Sequence, residues 1–224
     1  MSLLLRQASR SNSIIACART ASTMASSRYL DGPQDAATLE TPKNLSAKQK
    51  EALSAAVRID QAGEIAANWI YKGQYAVLSS DPKTGPVVQE MWDQEKKHLA
   101  VMDKLQIQHD ARPTALTEVA KIAGFGLGFA TALMGKEAAM ACTEAVETVI
   151  GEHYDDQLRD LELMEPLHSS IPLLRDVIRE FRDDELEHLN TAVYHHSQRA
   201  PHHALLTTIV EGGCQIAIQL CKRF

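Results

Sequence analysis

The tetrapeptide Glu95-Lys96-Lys97-His98 returns in the second half of the chain as Glu185-Leu186-Glu187-His188. Residues three apart on an α-helix are neighbours, with Cβ atoms roughly 5–6 Å apart. A carboxylate and an imidazole so spaced can reach one metal ion from one helix face. A single copy carries little weight, because about 0.6 such matches arise by chance in a chain of this composition. What surrounds each copy decides its meaning.

Helical periodicity begins near Ser46 and runs to about Leu78, with Leu53, Val57, Glu64, Ala67, Tyr71 and Leu78 on one face. Asp81-Pro82-Lys83-Thr84-Gly85 signals a turn. A second helix is predicted from about Pro86 to Gln108, with the stripe Met91, Glu95, His98, Met102, Leu105. Another runs from Lys136 to about Leu163 and carries Met140, Glu144, Glu147, Gly151, Tyr154, Leu158 and Leu161 on one face. The next spans about Pro172 to Arg199, with the stripe Leu174, Ile178, Phe181, Glu185, His188, Ala192, His195, and Pro201 ends it. Each stripe puts ionisable residues where a core would want Leu. A third Glu-x-x-His, Glu165 to His168, sits in a Pro- and Ser-rich connector and is the chance match.

The order Glu64, Glu95-x-x-His98, Glu147, Glu185-x-x-His188 reads as two helical hairpins of one design. Tyr71 and Tyr154, each seven residues after the lone glutamate, extend the repeat and favour Glu147 over Glu144. Unpaired carboxylates in an apolar core cost several kcal/mol each, and four together repel and take up protons. Two divalent cations cancel that charge, and two neutral imidazoles complete the set. Oxygen and imidazole donors suit Fe or Mn, and the lack of thiolates argues against structural zinc. The four cysteines, Cys17, Cys142, Cys214 and Cys221, form no Cys-x-x-Cys pair, which suits a reducing compartment. This is the ligand set of ferritin-like di-iron and di-manganese proteins. Asp60 and Asp184 are candidates to orient a ligand histidine from behind, with ordinary surface aspartates as the competing reading. Tyr154, with His153, is a candidate to face substrate or oxygen, against a plain core-packing role.

Residues from Ile122 to Gly135 include no charged side chain and hold Gly124, Gly126 and Gly128. The run is too short to span a bilayer, so a buried or interfacial helix is expected. Its G-x-G-x-G spacing is not the dinucleotide-binding fingerprint. A last apolar helix, Ala204 to Leu220, carries Gly212 and Gly213. The fold class expected is all-α: a ferritin-like four-helix bundle with two additional apolar helices, membrane-associated. Residues 1–30 hold Arg6, Arg10, Arg19 and Arg28, many serines and no acidic residue, the pattern of a mitochondrial transit peptide; a disordered basic tail is the alternative. Residues 31–44 are expected as a polar linker and 45–224 as the domain. The net charge of −6 argues against nucleic acid as a partner.

Arg58-Ile59-Asp60-Gln61-Ala62-Gly63-Glu64-Ile65-Ala66-Ala67-Asn68, Glu95-Lys96-Lys97-His98, Ala145-Val146-Glu147 and Glu185-Leu186-Glu187-His188 resemble the demethoxyubiquinone hydroxylase family of ubiquinone biosynthesis. The resemblance covers nearly all of residues 45–224, including Gly212-Gly213-Cys214. Gln61 stands where many members of that family are expected to have His. The resemblance implies a di-iron monooxygenase with two iron ions per chain, O2 as co-substrate and NADH as ultimate electron donor. It implies that Glu64 and Glu147 are terminal ligands, that Glu95 and Glu185 bridge, and that His98 and His188 take one iron each. It further implies a polyprenyl benzoquinone substrate and a peripheral position on the matrix side of the mitochondrial inner membrane. A lipid-binding accessory protein and other members of a ubiquinone-biosynthesis complex are the implied partners. The two apolar helices are then candidates for the membrane-facing surface and the tail channel, against the reading of ordinary core helices. Three other readings share parts of this pattern: a ferritin-like iron store or ferroxidase, a metal-free membrane-associated scaffold of a lipid pathway, and a di-iron hydroxylase of another substrate.

Overall fold

The structure, a computed structural model, describes residues 25–162 and 168–224. Most of the expected leader and Glu165 of the chance match lie outside the described residues. Six main helices follow the predicted order: α1 (Ala47–Leu78), α2 (Thr84–Gln108), α3 (Thr117–Leu133), α4 (Lys136–Glu162), α5 (Ser170–Tyr194) and α6 (His203–Cys221).

Local chemistry sets their ends. Ser46 Oγ accepts from Gln49 N while Gln49 Oε1 accepts from Ser46 N at 2.9 Å, a capping box that starts α1. Asp81 Oδ1 accepts from Thr84 N at 2.7 Å and Lys83 N at 2.9 Å, which starts α2 slightly ahead of Pro86. Gly135, at φ +124°, makes the break between α3 and α4 in a region L residues avoid.

The end of α5 departs from expectation. The helix stops at Tyr194, short of the predicted Arg199, and a single 3₁₀ turn follows at Ser197–Arg199. His196 at φ 69° and His202 at φ 52° turn the backbone through the left-handed region so that α6 can fold back onto α4. His195 is therefore a helix cap and leaves the interior stripe.

The hairpins α1/α2 and α4/α5 form the four-helix bundle, with α3 laid on α1 and α6 laid on α4. Each half is thus a hairpin plus an apolar helix. Two of the apolar clusters lie along the bundle. One apolar cluster includes Val57, Met102, Tyr154, Ile178 and Phe181; the other includes Tyr71, Val88, Met91, Met140 and Ala192. Along the bundle helices Glu64, Glu95, Glu147 and Glu185 each lie between the helix's contributions to these two clusters, so apolar side chains flank the ionisable layer on both sides.

The packed chain begins earlier than residue 45. Residues 25–30 are helical, and Ala25, Tyr29 and Ala37 are buried. Tyr29 Oη donates to Gln108 Oε1 at 2.9 Å, and Gln108 Nε2 donates to Ala37 O and Glu40 O, each at 2.8 Å. The expected linker is a strap, docked in part by a buried amide that satisfies three partners. Sparse anchors in a polar sequence leave no periodicity to read, so the packing of residues 25–44 shows only in the structure.

Candidate metal centre

The six residues singled out by spacing meet in one place. Glu64, Glu95, His98, Glu147, Glu185 and His188 are all 3 % exposed or less. One ligand atom from each of Glu64, Glu95, His98 and Glu185 falls within 4.8 Å of the others, and the same holds for Glu95, Glu147, Glu185 and His188. Glu95 and Glu185 belong to both groups. His98 Nδ1 is 3.3 Å from Glu185 Oε1 and 3.6 Å from Glu64 Oε2. His188 Nδ1 is 3.2 Å from Glu95 Oε1 and 3.1 Å from Glu185 Oε2.

The donor set fits a pair of divalent cations. Glu64 Oε2, both carboxylate oxygens of Glu95, Glu147 Oε2 and His98 Nδ1 are buried without any hydrogen-bond partner. Orphaned buried polar atoms are costly, and so many at one point need a charge to face. Oxygen and imidazole donors with no thiolate suit iron or manganese.

The same burial shifts the acidity of the cluster. Burial pushes the carboxyls of Glu64 and Glu147 up, and Glu95, which also faces Glu185, up to about 8. Burial acts on Glu185 too, but the imidazoles of His188 and His98 beside it outweigh that and hold the carboxyl at about 2. Burial would lower both imidazoles, yet their carboxylate partners hold them well above the usual histidine range.

A second ring of side chains holds these six in place. Tyr71 Oη donates to Glu147 Oε1 at 2.7 Å, and Tyr154 Oη donates to Glu64 Oε1. Asp184 Oδ2 lies 3.1 Å from His98 Nε2. Asp60 orients no ligand histidine. It pairs with His153 Nε2 at 3.1 Å and accepts from Gln157 Nε2 at 2.7 Å. The partner of His188 Nε2 is Gln94, at 2.5 Å, a residue that spacing alone did not single out. Its signal was present: Gln94 precedes Glu95 as Asp184 precedes Glu185. The Phe181 ring stacks on His98 with centroids 4.0 Å apart. Glu144 stays out of the cluster and meets His203 at 2.9 Å, joining α4 to the start of α6.

Beside this layer lies a cavity of about 370 Å³ between α1, α3, α4 and α6. Its walls are apolar, among them Ala66, Leu127, Val146 and Ile209, and it reaches Tyr154, His153 and Asp60. The outer faces of α3 and α6 expose Val119, Ile122 and Leu133, and Leu205, Ile209 and Ile216. By length and composition α6 is apolar enough to cross a membrane, and little of it is buried.

Residues 51–221 match the family model described as ubiquinone biosynthesis protein COQ7. The chain is 49% identical to the NADPH-dependent 3-demethoxyubiquinone 3-hydroxylase, mitochondrial, of Mus musculus over 78% of this chain and 79% of that protein. It is 41% identical to the 5-demethoxyubiquinone hydroxylase, mitochondrial, of Saccharomyces cerevisiae over 88% of each. It is 42% identical to the 3-demethoxyubiquinol 3-hydroxylase of Rhodospirillum rubrum over 75% of this chain and 76% of that protein. The mouse protein's name specifies NADPH, where the resemblance implied NADH. The match of most of the chain, and a bundle built around one buried carboxylate and imidazole layer, agree: the chain belongs to the COQ7 family of ubiquinone biosynthesis proteins.

Proposed function

We propose that this protein hydroxylates the ring of a polyprenylated demethoxybenzoquinone in ubiquinone biosynthesis, with two iron ions held by Glu64, Glu95, His98, Glu147, Glu185 and His188. The observation that carries this is the pair of overlapping buried clusters, sharing Glu95 and Glu185, beside an apolar cavity. When bound, iron supplies the redox chemistry by which O2 is activated, chemistry no side chain here can perform.

The chain's own residues do the rest. Tyr71 and Tyr154 hold one oxygen each of Glu147 and Glu64, leaving the other oxygens free to face the cations. The apolar cavity walls receive the ring and the first isoprenoid units and keep bulk water from the centre. Tyr154 and His153, the latter braced by Asp60, are the polar groups at the ring end. Electrons come from outside. The names of the mammalian relatives support a reduced nicotinamide as ultimate donor, and this sequence carries no dinucleotide fingerprint.

A quinone with a long tail dissolves in lipid, so the enzyme must collect it there. The exposed faces of α3 and α6 suit that task, lying flat on the bilayer with the cavity between them. At about 1.5 Å per residue, α6 could just cross the hydrocarbon core. Both of its ends are tied to the bundle, however. His203 meets Glu144 at one end, and Arg58 donates to Cys221 O and Lys222 O at the other. A helix so fastened lies in the interface. The mitochondrial relatives and the arginine-rich start of the chain support a mitochondrial address, on the matrix face of the inner membrane, with a lipid-binding protein and other ubiquinone-synthesis enzymes as partners. The exposed apolar helices disfavour a ferritin-like iron store, whose outer surface meets only water.

The test is reconstitution. Purified chain loaded with Fe(II) is given O2, a reductant and a short-tailed demethoxyubiquinone, and the product is read by mass spectrometry. A ring-hydroxylated quinone is expected, at roughly two irons per chain, and none from Glu185→Ala. Full activity in metal-free protein sinks the proposal.

A further inference from the structure

The two halves of the centre follow one plan with one exception. Asp184 of α5 reaches across to His98 of α2, with Oδ2 3.1 Å from Nε2. Gln94 of α2 reaches back to His188 of α5, with Oε1 2.5 Å from Nε2. Each imidazole thus turns Nδ1 to the shared carboxylates and Nε2 to a side chain of the opposite hairpin. The tyrosine contacts to Glu64 and Glu147 are likewise reciprocal and balance one another. The imidazole partners do not balance: one is an anion, the other a neutral amide.

We propose that Asp184 and Gln94 are positioning residues that make the two metal positions inequivalent, so that the Glu64–His98 position binds its cation first and more tightly than the Glu147–His188 position. The inference rests on the dimetal reading above. Both partners fix the same tautomer, with the proton on Nε2 and the Nδ1 lone pair facing the cation. Only the carboxylate also strengthens Nδ1 as a donor and adds a negative charge behind it. Partners of this kind are worth about 10–100-fold in metal affinity. Ring packing differs in the same way, since Phe181 stacks on His98 at 4.0 Å, whereas Tyr71 meets His188 edge-on at 5.9 Å. The order has a consequence for assembly. A chain short of iron holds one tightly bound ion at His98 and an exchangeable vacancy at His188.

The test is an anaerobic titration of the metal-free full chain with Fe(II), followed by calorimetry, and with Mn(II), followed by electron paramagnetic resonance. The wild-type protein binds in two steps, the first giving a mononuclear Mn(II) signal before the coupled pair appears. Asp184→Asn weakens the first step by about 10–100-fold and leaves the second in place, merging the two. Gln94→Glu strengthens the second step by a similar factor and leaves the first unchanged. The second variant is a gain of affinity, which a merely damaged fold cannot produce. Two indistinguishable steps in the wild-type protein, or steps indifferent to both substitutions, overturn the proposal. A chain that binds no metal at all overturns the dimetal reading instead, so the two failures are told apart by stoichiometry.

Discussion

Tyr71 Oη on α1 donates a 2.7 Å hydrogen bond to Glu147 on α4, and Tyr154 on α4 donates to Glu64 on α1 in return. Each tyrosine follows its own helix's lone glutamate by two helical turns, yet serves the glutamate of the other hairpin. The exchange ties the halves of the bundle together at the level of the buried carboxylates.

Removing one of these hydroxyls distinguishes the metal-free from the loaded state. In Tyr71→Phe, Glu147 loses its Oε1 partner while its Oε2 already has none. We expect a loss of roughly 1–3 kcal/mol in the metal-free protein, and a smaller loss with Fe(II) bound, because the cation faces the same carboxylate. Urea unfolding with and without Fe(II) measures both. Equal losses in the two states would contradict a cation at Glu147.

Sharing of Glu95 and Glu185 between the clusters predicts an unequal effect of ligand removal on stoichiometry. Glu147→Ala touches one cluster and should leave roughly one iron per chain, whereas Glu185→Ala should leave almost none, because a metal site needs its full ligand count. Iron per chain by mass spectrometry reads this directly. The inverse result, with Glu185→Ala the milder change, would remove the shared-carboxylate geometry.

Glycine placement on α3 gives opposite expectations for neighbouring positions. A Cβ on Gly128 would overlap the carbonyl of Ile70 on α1, while one on Gly126 meets nothing within 4 Å. Gly128→Ala must push two backbones apart and should cost about 1–3 kcal/mol. Gly126→Ala should stabilise by up to about 1 kcal/mol through helix propensity. Thermal melts of the two variants check the pair, and equal midpoints would mean that α3 is not seated as described.

Acid sensitivity should arise partly at the strap. Burial pushes His109 down to about 4, and its Nδ1 sits 3.0 Å from Thr41 Oγ1. Between about pH 6.5 and 4 the unfolded chain takes up this proton and the folded chain does not. Stability is therefore complete above the unfolded value and falls as pH drops through that window, by roughly 2–3 kcal/mol from this group. His109→Gln should flatten that limb, seen as a smaller difference between denaturant midpoints at pH 7 and pH 4.5. An unchanged difference would place the acid-sensitive group elsewhere.

The helices and the inward-facing glutamates and histidines were legible in the sequence for local reasons. Periodicity of 3.6 reports which side of each helix turns inward, so Glu64, Glu95, His98, Glu147, Glu185 and His188 could be assigned to interior stripes before any packing was known. Ser46 and the Asp81 turn marked helix starts in the same local way. Periodicity does not report which inward side chain meets which. That Asp60 braces His153 and no metal ligand, and that Gln94 and Asp184 exchange partners across the bundle, depends on how two hairpins seat against each other. So does the docking of residues 25–44, whose few apolar anchors become visible only once Gln108 is there to receive them. The cavity between α1, α3, α4 and α6 belongs to the same category. A single chain carries the pattern of an inward face, but a contact is a property of two faces, and only the tertiary structure brings the second one.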